Sequence, residues 1–359
     1  MVETHAPLPT APTDVGGRAQ PLLIARQLVK HFPLKSPVPL RKGGVVRAVD
    51  GVSFDVLKGE TLGVVGESGC GKSTTARLLM QLTPQDSGEL IFDAQGVDSR
   101  QLPMKAFRSQ VQMVFQDSYS SLNPRLTIEE SIAFTPRVHG VSAREATERA
   151  RYLLERVGLE PKRFAGRYPH ELSGGQRQRV NIARALAPRP RLVILDEAVS
   201  ALDKSVEAQV LNLLMDLKAE FNLTYVFISH DLNVIRYLCD RVMVMYLGKV
   251  VEIGATESVY ANPAHPYTRA LLTSMPSMDP DQRTLAAPLA GDPPNPINPP
   301  SGCSFHPRCV RAEPICERRE PVLTDALAGH PVSCLIAMPD GGHSLPLRRL
   351  TTNLHAATP

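Results

Sequence analysis

At 359 residues, of which 43% are hydrophobic, the chain has material for one large domain and a smaller one and can bury a full core. Its 40 basic and 36 acidic residues are interleaved and leave a net charge of +4, a mixed solvated surface that argues against a nucleic-acid partner. No stretch reaches the roughly 20 consecutive apolar residues that cross a bilayer, and six cysteines in a chain of this size do not make a disulfide framework.

Met1 to Gln20 are rich in Pro, Thr, Gly and Ala and lack the basic start and apolar run of a secretory signal, so a disordered tail over 1–20 is predicted. Leu22–Ala25 and Val45–Val56 read as strands around a Pro- and Lys-rich loop, Pro33 to Gly44. Thr61–Val65 is a short apolar strand feeding the glycine-rich Gly66-Glu-Ser-Gly-Cys-Gly-Lys72-Ser73, and Ser73–Leu82 reads as a helix. Val111–Phe115 reads as a strand ending next to Gln116, and Ser142-Ala-Arg-Glu145 as a capping box opening a helix to about Val157. Ser173 opens a further helix. Leu192–Leu195 and Thr224–Ile228 are fully apolar strands separated by a helix over about Ser205–Phe221, which together imply a buried, mostly parallel sheet in an α/β fold. Arg241–Gly254 reads as a hairpin turning at Gly248-Lys249, and Cys239 as a buried helical cysteine. Prolines crowd Pro263 to Pro300 and periodicity disappears, which puts a domain boundary near Ser258.

A strand, a glycine-rich loop and a helix in that order are what a phosphate cradle requires. Gly66, Gly69 and Gly71 let backbone N–H groups and the helix N-terminus close on negative charge. Lys72 would reach the β- and γ-phosphates, and Ser73 would offer its hydroxyl to Mg²⁺. Cys70 fills a free position of the motif and reads as a small filler. Leu192–Leu195 leaves two carboxylates at the strand's C-terminal end: Asp196 to hold Mg²⁺, and Glu197 to polarise an attacking water. Alone, such a strand end is commonplace; downstream of a phosphate loop it gains a role. His230, just beyond the next strand, could hold that water against the γ-phosphate.

The order Gly66 to Ser73, Gln116, Leu172-Ser-Gly-Gly-Gln176, Asp196-Glu197, Ser200-Ala-Leu-Asp203 and His230 resembles that of ATP-binding cassette ATPases over about residues 21–258. The resemblance implies a RecA-like parallel core with an antiparallel β subdomain and a helical signature subdomain. It implies ATP and Mg²⁺ as ligands, with Gly66, Ser68, Gly69, Cys70, Gly71, Lys72, Ser73 and Thr74 around the phosphates. Two such cassettes pack head to tail, so Ser173, Gly174, Gly175 and Gln176 are expected to serve the partner's nucleotide. A helix N-terminus at Ser173 has the free N–H groups and dipole for that. By the same resemblance Gln116 contacts Mg²⁺ and water while its loop touches a membrane subunit, and Asp203 belongs to a loop crossing the dimer interface. An aromatic ring ahead of the phosphate loop stacks on adenine; Phe32 is the candidate, with an apolar core place as its alternative.

Phe115-Gln-Asp-Ser-Tyr-Ser-Ser-Leu-Asn-Pro-Arg125, Asp196 to Asp203 and Asn262-Pro-Ala-His-Pro-Tyr-Thr-Arg-Ala-Leu-Leu272 are similar to the ATP-binding subunits of dipeptide and oligopeptide permeases. The Cys-Gly-Lys-Ser-Thr form of the phosphate loop points to the F-type rather than the D-type subunit; Ala198-Val199 departs from the commoner Pro-Thr. This likeness implies an ATPase at the cytoplasmic face of the membrane, a D-type paralogue as partner cassette, two membrane permease subunits, and an extracytoplasmic peptide-binding protein. Importers of glutathione or metal chelates are the alternatives within the class. Cassettes acting on DNA or ribosomes usually carry a long coiled-coil insertion or a second cassette, for which the motif spacing leaves no room; an exporter is disfavoured because exporters commonly fuse the cassette to membrane helices.

Cys303, Cys309, Cys316 and Cys334 follow the proline-rich stretch, within an extension expected over 259–359. Four thiolates suit Zn²⁺, with His306 as a spare ligand, or an iron–sulfur cluster, although tight Cys-x-x-Cys knuckles are missing. Unmetallated cysteines are the third reading. The permease likeness implies a structural 4Fe-4S cluster.

Overall fold

The computed structural model describes residues 20–34, 43–275, 291–325 and 329–345. The expected tail, except Gln20, and parts of the expected loop and extension lie outside the described residues. In chain order the elements are β1 (Leu23–Pro33), β2 (Val45–Val56), β3 (Thr61–Val65), α1 (Lys72–Leu79), β4 (Ser87–Phe92), β5 (Gln95–Gly96), α2 (Met104–Gln110), β6 (Val111–Val114), α3 (Ile128–Val138), α4 (Ala143–Arg156), α5 (Pro161–Phe164), α6 (Gly174–Leu186), β7 (Leu192–Asp196), α7 (Lys204–Phe221), β8 (Thr224–Ile228), α8 (Leu232–Leu238), β9 (Arg241–Tyr246), β10 (Lys249–Ala255), α9 (Thr256–Ala261), α10 (Pro266–Thr273) and α11 (Pro314–Arg318).

Two sheets organise them. An antiparallel sheet runs β2-β1-β4-β5, and a second runs β10-β9-β3-β8-β7-β6, in which β9, β3, β8, β7 and β6 are parallel and β10 is antiparallel. Every residue of β3, β7 and β8 is buried, as continuous apolar runs demand of a sheet covered on both faces. Alternation divides them: Val193, Leu195, Tyr225 and Phe227 face the core shared with α3, α4 and α6, while Leu192, Ile194, Val226 and Ile228 face the core under the antiparallel sheet. The α/β fold with an antiparallel subdomain and a helical lobe is therefore present as expected.

Several boundaries differ from the sequence reading, each for a local reason. β1 runs on to Pro33 because residues beyond Ala25 still pair with β2; a register shift there, with Gln27 at φ 46° donating its N–H to Ser53 Oγ at 2.8 Å, breaks the alternation. The β9–β10 hairpin turns on Leu247-Gly248, one residue earlier than expected, with φ 44° and 79° as a primed turn requires. Ser142 caps α4, accepting the Glu145 N–H at 3.2 Å, but the Glu145 carboxylate binds Arg149 at 2.8 Å instead of closing the box. Cys239 is buried but lies just past α8 in extended conformation.

The change in composition near Tyr260 is not a gap in packing. Tyr267 and Phe305 join the main core, with ring centroids 4.6 and 5.3 Å from Tyr246. Residues 331–333 cover the β10 edge: Ile253 N–H donates to the Pro331 carbonyl at 3.0 Å, and Ser333 N–H to that of Val251 at 2.8 Å. Between them Glu252, wholly buried, accepts from Ala264 N–H at 2.7 Å, His265 N–H at 2.9 Å and His330 Nε2 at 2.6 Å. A buried carboxylate needs such partners, and all of them come from the chain that follows it.

Candidate nucleotide site

β3 ends in the phosphate loop and α1 begins at Lys72. A Cβ on Gly66 would stand 2.3 Å from the Met245 carbonyl oxygen, and one on Gly71 2.2 Å from that of Ala48, so β9 and β2 press on the loop too closely for any side chain. Gly71 precedes α1 without a side-chain cap, leaving the first N–H groups of the helix for a phosphate. Ser68 and Gly69 are exposed at the tip. Cys70 is buried beneath it; burial raises its thiol pKa, in keeping with a filler. Lys72 is itself buried and donates to the carbonyls of Gly66 at 2.8 Å and Glu67 at 3.0 Å, which curls the loop around its ammonium. Thr74 is half-buried on α1.

The second half of the site comes from the C-terminal ends of β6, β7 and β8. The Ser73 hydroxyl donates to Asp196 Oδ1 at 3.0 Å. Burial raises the pKa of Asp196, the Ser73 bond lowers it, and the neighbouring Glu197 charge raises it again. Gln116 Nε2 donates to Glu197 Oε2 at 2.9 Å, and His230 Nδ1 stands 3.6 Å from the same oxygen. Glu197 holds φ 47°, a left-handed conformation that a non-glycine residue adopts only when its surroundings enforce it. Here its N–H donates to Ile228 at 3.0 Å and its carbonyl accepts Ser200 Oγ at 3.0 Å. That strained turn aims the carboxylate at Gln116 and His230, so three residues from three strand ends converge on one oxygen.

Ser173 caps α6 with a closed box: its hydroxyl accepts the Gln176 N–H at 3.3 Å and Gln176 Oε1 accepts the Ser173 N–H at 3.0 Å. Ser173 is exposed. Gly174 and Gly175 pack toward α7 and the turn before it; a Cβ on Gly175 would meet Val206 Cγ1 at 2.5 Å. Asp203 precedes α7, exposed and without a side-chain cap.

A connection that motif reading missed joins α6 to the segment after Gln116. Asn181 Nδ2 donates to the Ser118 carbonyl at 3.0 Å, Ser121 Oγ to Asn181 Oδ1 at 3.1 Å, and Arg184 to the Ser121 carbonyl. Residues 60 or more apart gave no sequence signal for it. Beside this junction a cavity of about 390 Å³ opens among Phe115, Ser121, Leu126, Phe134 and Arg184, with Phe134 59% exposed.

Phe32 pairs with Val46, is 39% exposed and carries Lys30 Nζ 5.6 Å from its ring centroid; it is not a core residue. Its neighbour strand reaches the phosphate loop at Ala48.

Cys303, Cys309, Cys316 and Cys334 line one cavity of about 20 Å³, together with His306. Burial pushes the thiols of Cys303 up to about 11 and Cys334 up to about 12, and each neighbouring thiolate adds to the shift. Four soft donors lining one cavity, Cys316 and Cys334 buried and Cys303 and Cys309 half-buried, suit a thiolate-binding group. As they stand they enclose room for about one water, and among the described residues no three His, Cys, Asp or Glu side chains form a metal-holding arrangement. The four expected cysteines therefore come together here, but among the described residues they form no preformed metal cage.

A parallel α/β core with a phosphate loop, paired carboxylates and a capped signature helix defines a nucleotide-hydrolysing cassette. Comparison with known proteins agrees. The ABC transporter family profile matches residues 49–200, and that of the oligopeptide/dipeptide transporter C-terminal region matches residues 251–316. The chain is 50% identical to the oligopeptide transport ATP-binding protein AppF of Bacillus subtilis over 318 residues, 87% of this chain and 96% of that protein. It is 47% identical to the dipeptide transport ATP-binding protein DppF of Haemophilus influenzae, over 88% and 96% of the two chains. Among solved structures, cbiO1 from Clostridium perfringens superposes with a TM-score of 0.58 at 27% identity, covering 67% of this chain and 91% of that one. The dimeric cassette MJ0796 bound to ADP and Pi superposes with 0.57 at 29%, covering 65% and 98%. The chain belongs to the ABC transporter family of ATP-binding proteins, and it is an ATPase of that family.

Proposed function

We propose that the chain is the ATP-hydrolysing subunit of a membrane importer of di- and oligopeptides. One observation carries this reading: half-identity to an oligopeptide transport ATP-binding protein extends over 96% of that protein, through both the cassette and the C-terminal region. We divide the chain into a tail over 1–20, a cassette over 21–258 and an extension over 259–359.

In this reading Gly66 to Thr74 hold the nucleotide's phosphates and Phe32 its base. Ser73 and Asp196, with Gln116 near by, would hold a Mg²⁺ that would neutralise phosphate charge; a site with so few protein ligands suits an ion that arrives with its nucleotide. Glu197 takes the proton of the attacking water, while Gln116 and His230 fix that carboxylate and the water's line of approach. Ser173 to Gln176 complete the site of a second cassette, with Asp203 at the interface. We read that partner as a D-type paralogue; the dimeric state of the MJ0796 cassette supports the pairing of two cassettes. The apolar cavity beside Phe115 and Phe134 suits a segment of a membrane permease, two of which would anchor the chain at the cytoplasmic face and receive peptide from an extracytoplasmic binding protein. Through Ser118, Ser121 and Asn181 that cavity is tied to α6, so closure on a partner's ATP would move the docking surface. Deleting the gene should abolish uptake of labelled di- and oligopeptides, with recovery on return of the wild-type chain and none with Lys72→Ala. Undiminished peptide uptake by the deletion strain would sink the assignment and point to another cargo, or to a cassette acting on DNA or ribosomes.

We further propose that Cys303, Cys309, Cys316 and Cys334 carry a 4Fe-4S cluster in a structural role. The cluster would supply four sulfur links in a proline-rich segment with little core of its own. Iron and sulfide in anaerobically purified protein, with absorbance near about 400 nm, are expected; one equivalent of zinc without iron would refute the cluster in favour of zinc.

A further inference from the structure

The phosphate loop is held from outside the nucleotide motifs. Arg308 donates through Nη1 to Glu67 Oε2 at 2.7 Å and through Nη2 to Glu67 Oε1 at 3.0 Å, a bidentate pair in which the Arg308 side chain is only 5% exposed and that of Glu67 23%. Nη1 also reaches Tyr246 Oη at 3.4 Å. From α10, Tyr267 Oη accepts the Glu67 N–H at 2.9 Å. The Glu67 carbonyl in turn accepts Lys72 Nζ at 3.0 Å and the Cys70 N–H at 3.2 Å. Residues beyond the cassette motifs thus take the amide and the carboxylate of the loop's second residue, and the same residue's carbonyl docks the phosphate-binding lysine.

A carboxylate in a loop whose N–H groups gather around phosphate opposes the incoming anion. A guanidinium clamped on it removes that opposition and fixes the loop's curvature. We propose that Arg308 is a positioning residue for nucleotide binding: by pairing Glu67 it neutralises the one acidic side chain of the phosphate loop and couples the C-terminal cysteine lobe to the ATP site. The coupling is short in chain terms. Arg308 adjoins Cys309 within a tight turn in which His306 N–H donates to the Cys303 carbonyl at 3.0 Å and Cys309 N–H to that of His306 at 3.2 Å, so whatever holds those cysteines also holds the guanidinium. The Arg308–Glu67 pairing rests on this geometry and not on the nature of the transported cargo.

The test is equilibrium binding of a fluorescent ATP analogue to the full chain without Mg²⁺, which isolates the phosphate loop. Arg308→Ala is expected to weaken binding by about tenfold, as when one partner of a mostly buried ion pair is removed. The defect should shrink as salt rises from low to high, because exposed-charge repulsion is screened. Arg308→Lys, which keeps the charge but loses the bidentate fork, should bind between Arg308→Ala and wild type, and Glu67→Gln in the Arg308→Ala background should recover most of the loss. Arg308→Gln gives the same reading should the alanine variant fail to fold: weaker binding, regained with Glu67→Gln. A purely architectural clasp would lower the unfolding temperature and leave a salt-independent defect that Glu67→Gln does not relieve. That result, or binding by Arg308→Ala and Arg308→Gln within about twofold of wild type, overturns the proposal.

Discussion

Ser73 and Asp196 stand 123 residues apart in the chain, yet the hydroxyl at the head of α1 donates to the carboxylate at the end of β7 across 3.0 Å. β3 and β7 both flank β8 in one parallel sheet, so their C-terminal ends open on the same side. This places a phosphate cradle and a buried carboxylate within one ion's reach, at the end of the sheet where such folds bind ligands.

Ser73→Ala and Asp196→Asn should each reduce the extra ATP affinity that Mg²⁺ confers by on the order of tenfold, about 1.4 kcal/mol, while leaving Mg²⁺-free binding close to wild type. Because burial raises the pKa of Asp196 from its ordinary value, its proton returns at a higher pH than in an exposed aspartate. The Mg²⁺-dependent part of binding should therefore weaken on acidification, at a higher pH than an exposed aspartate would give. Titration calorimetry with and without Mg²⁺ across the acidic range checks both; an Mg²⁺-free defect as large as the Mg²⁺-dependent one would contradict the assignment.

Glu197→Gln should keep ATP binding and lose steady turnover by roughly 10²- to 10⁴-fold, the range for removing a general base. An amide keeps an acceptor for Gln116 Nε2 and leaves the phosphate and metal contacts alone. Phosphate release by the full chain decides it: undiminished hydrolysis by the variant removes Glu197 from that role.

Phe134→Asp puts a charge on an exposed ring at the cavity beside Phe115 and Leu126. Nucleotide binding should be unchanged, since Phe134 lines the cavity on α3 and not the phosphate loop or the turn at Glu197. Recovery of the chain with membranes, when it is co-expressed with its permeases, should fall severalfold. Full recovery with the membranes would move the docking surface elsewhere.

His265 is wholly buried, its Nδ1 accepts the Tyr267 N–H at 3.0 Å to cap α10, and burial pushes its pKa down to about 4. In the unfolded chain the ring titrates near 6.5. Between those values the unfolded chain takes up a proton that the folded chain refuses. The contribution is therefore fully present above about pH 6.5 and declines as pH falls toward 4, by an order of 3 kcal/mol. His265→Asn retains a cap acceptor without a titrating ring, so its unfolding free energy should be lower overall but flatter across that window. Parallel pH curves for the two proteins would show that another group titrates.

Much of the nucleotide site was legible in the linear sequence because its chemistry is local. A glycine run between an apolar strand and a helix, or two acids after four apolar residues, carries geometry within a few positions of the chain. β2, β3 and β8 were read to the residue, since unbroken apolar or alternating runs bounded by turn residues admit one conformation. β1 was read short because the irregularity at Gln27 interrupts its pattern, and the β9–β10 turn was misplaced by one residue because Leu247 adopts a positive φ that its side chain does not advertise.

What the sequence by itself determined was an α/β cassette with a phosphate-loop motif, two adjacent carboxylates at a strand end, proposed above for Mg²⁺ and water, and four cysteines after a proline-rich stretch. What only the tertiary structure decided was how these parts hold one another. Gln116, Glu197 and His230 converge because three strand ends lie side by side; Asn181 reaches Ser118 and Ser121 because α6 packs under that loop; Arg308 closes on Glu67 across 241 residues. Motif chemistry is encoded in short-range spacing, whereas ion pairs and shared carboxylates depend on which surfaces the buried sheet brings into contact, and no local pattern carries that information.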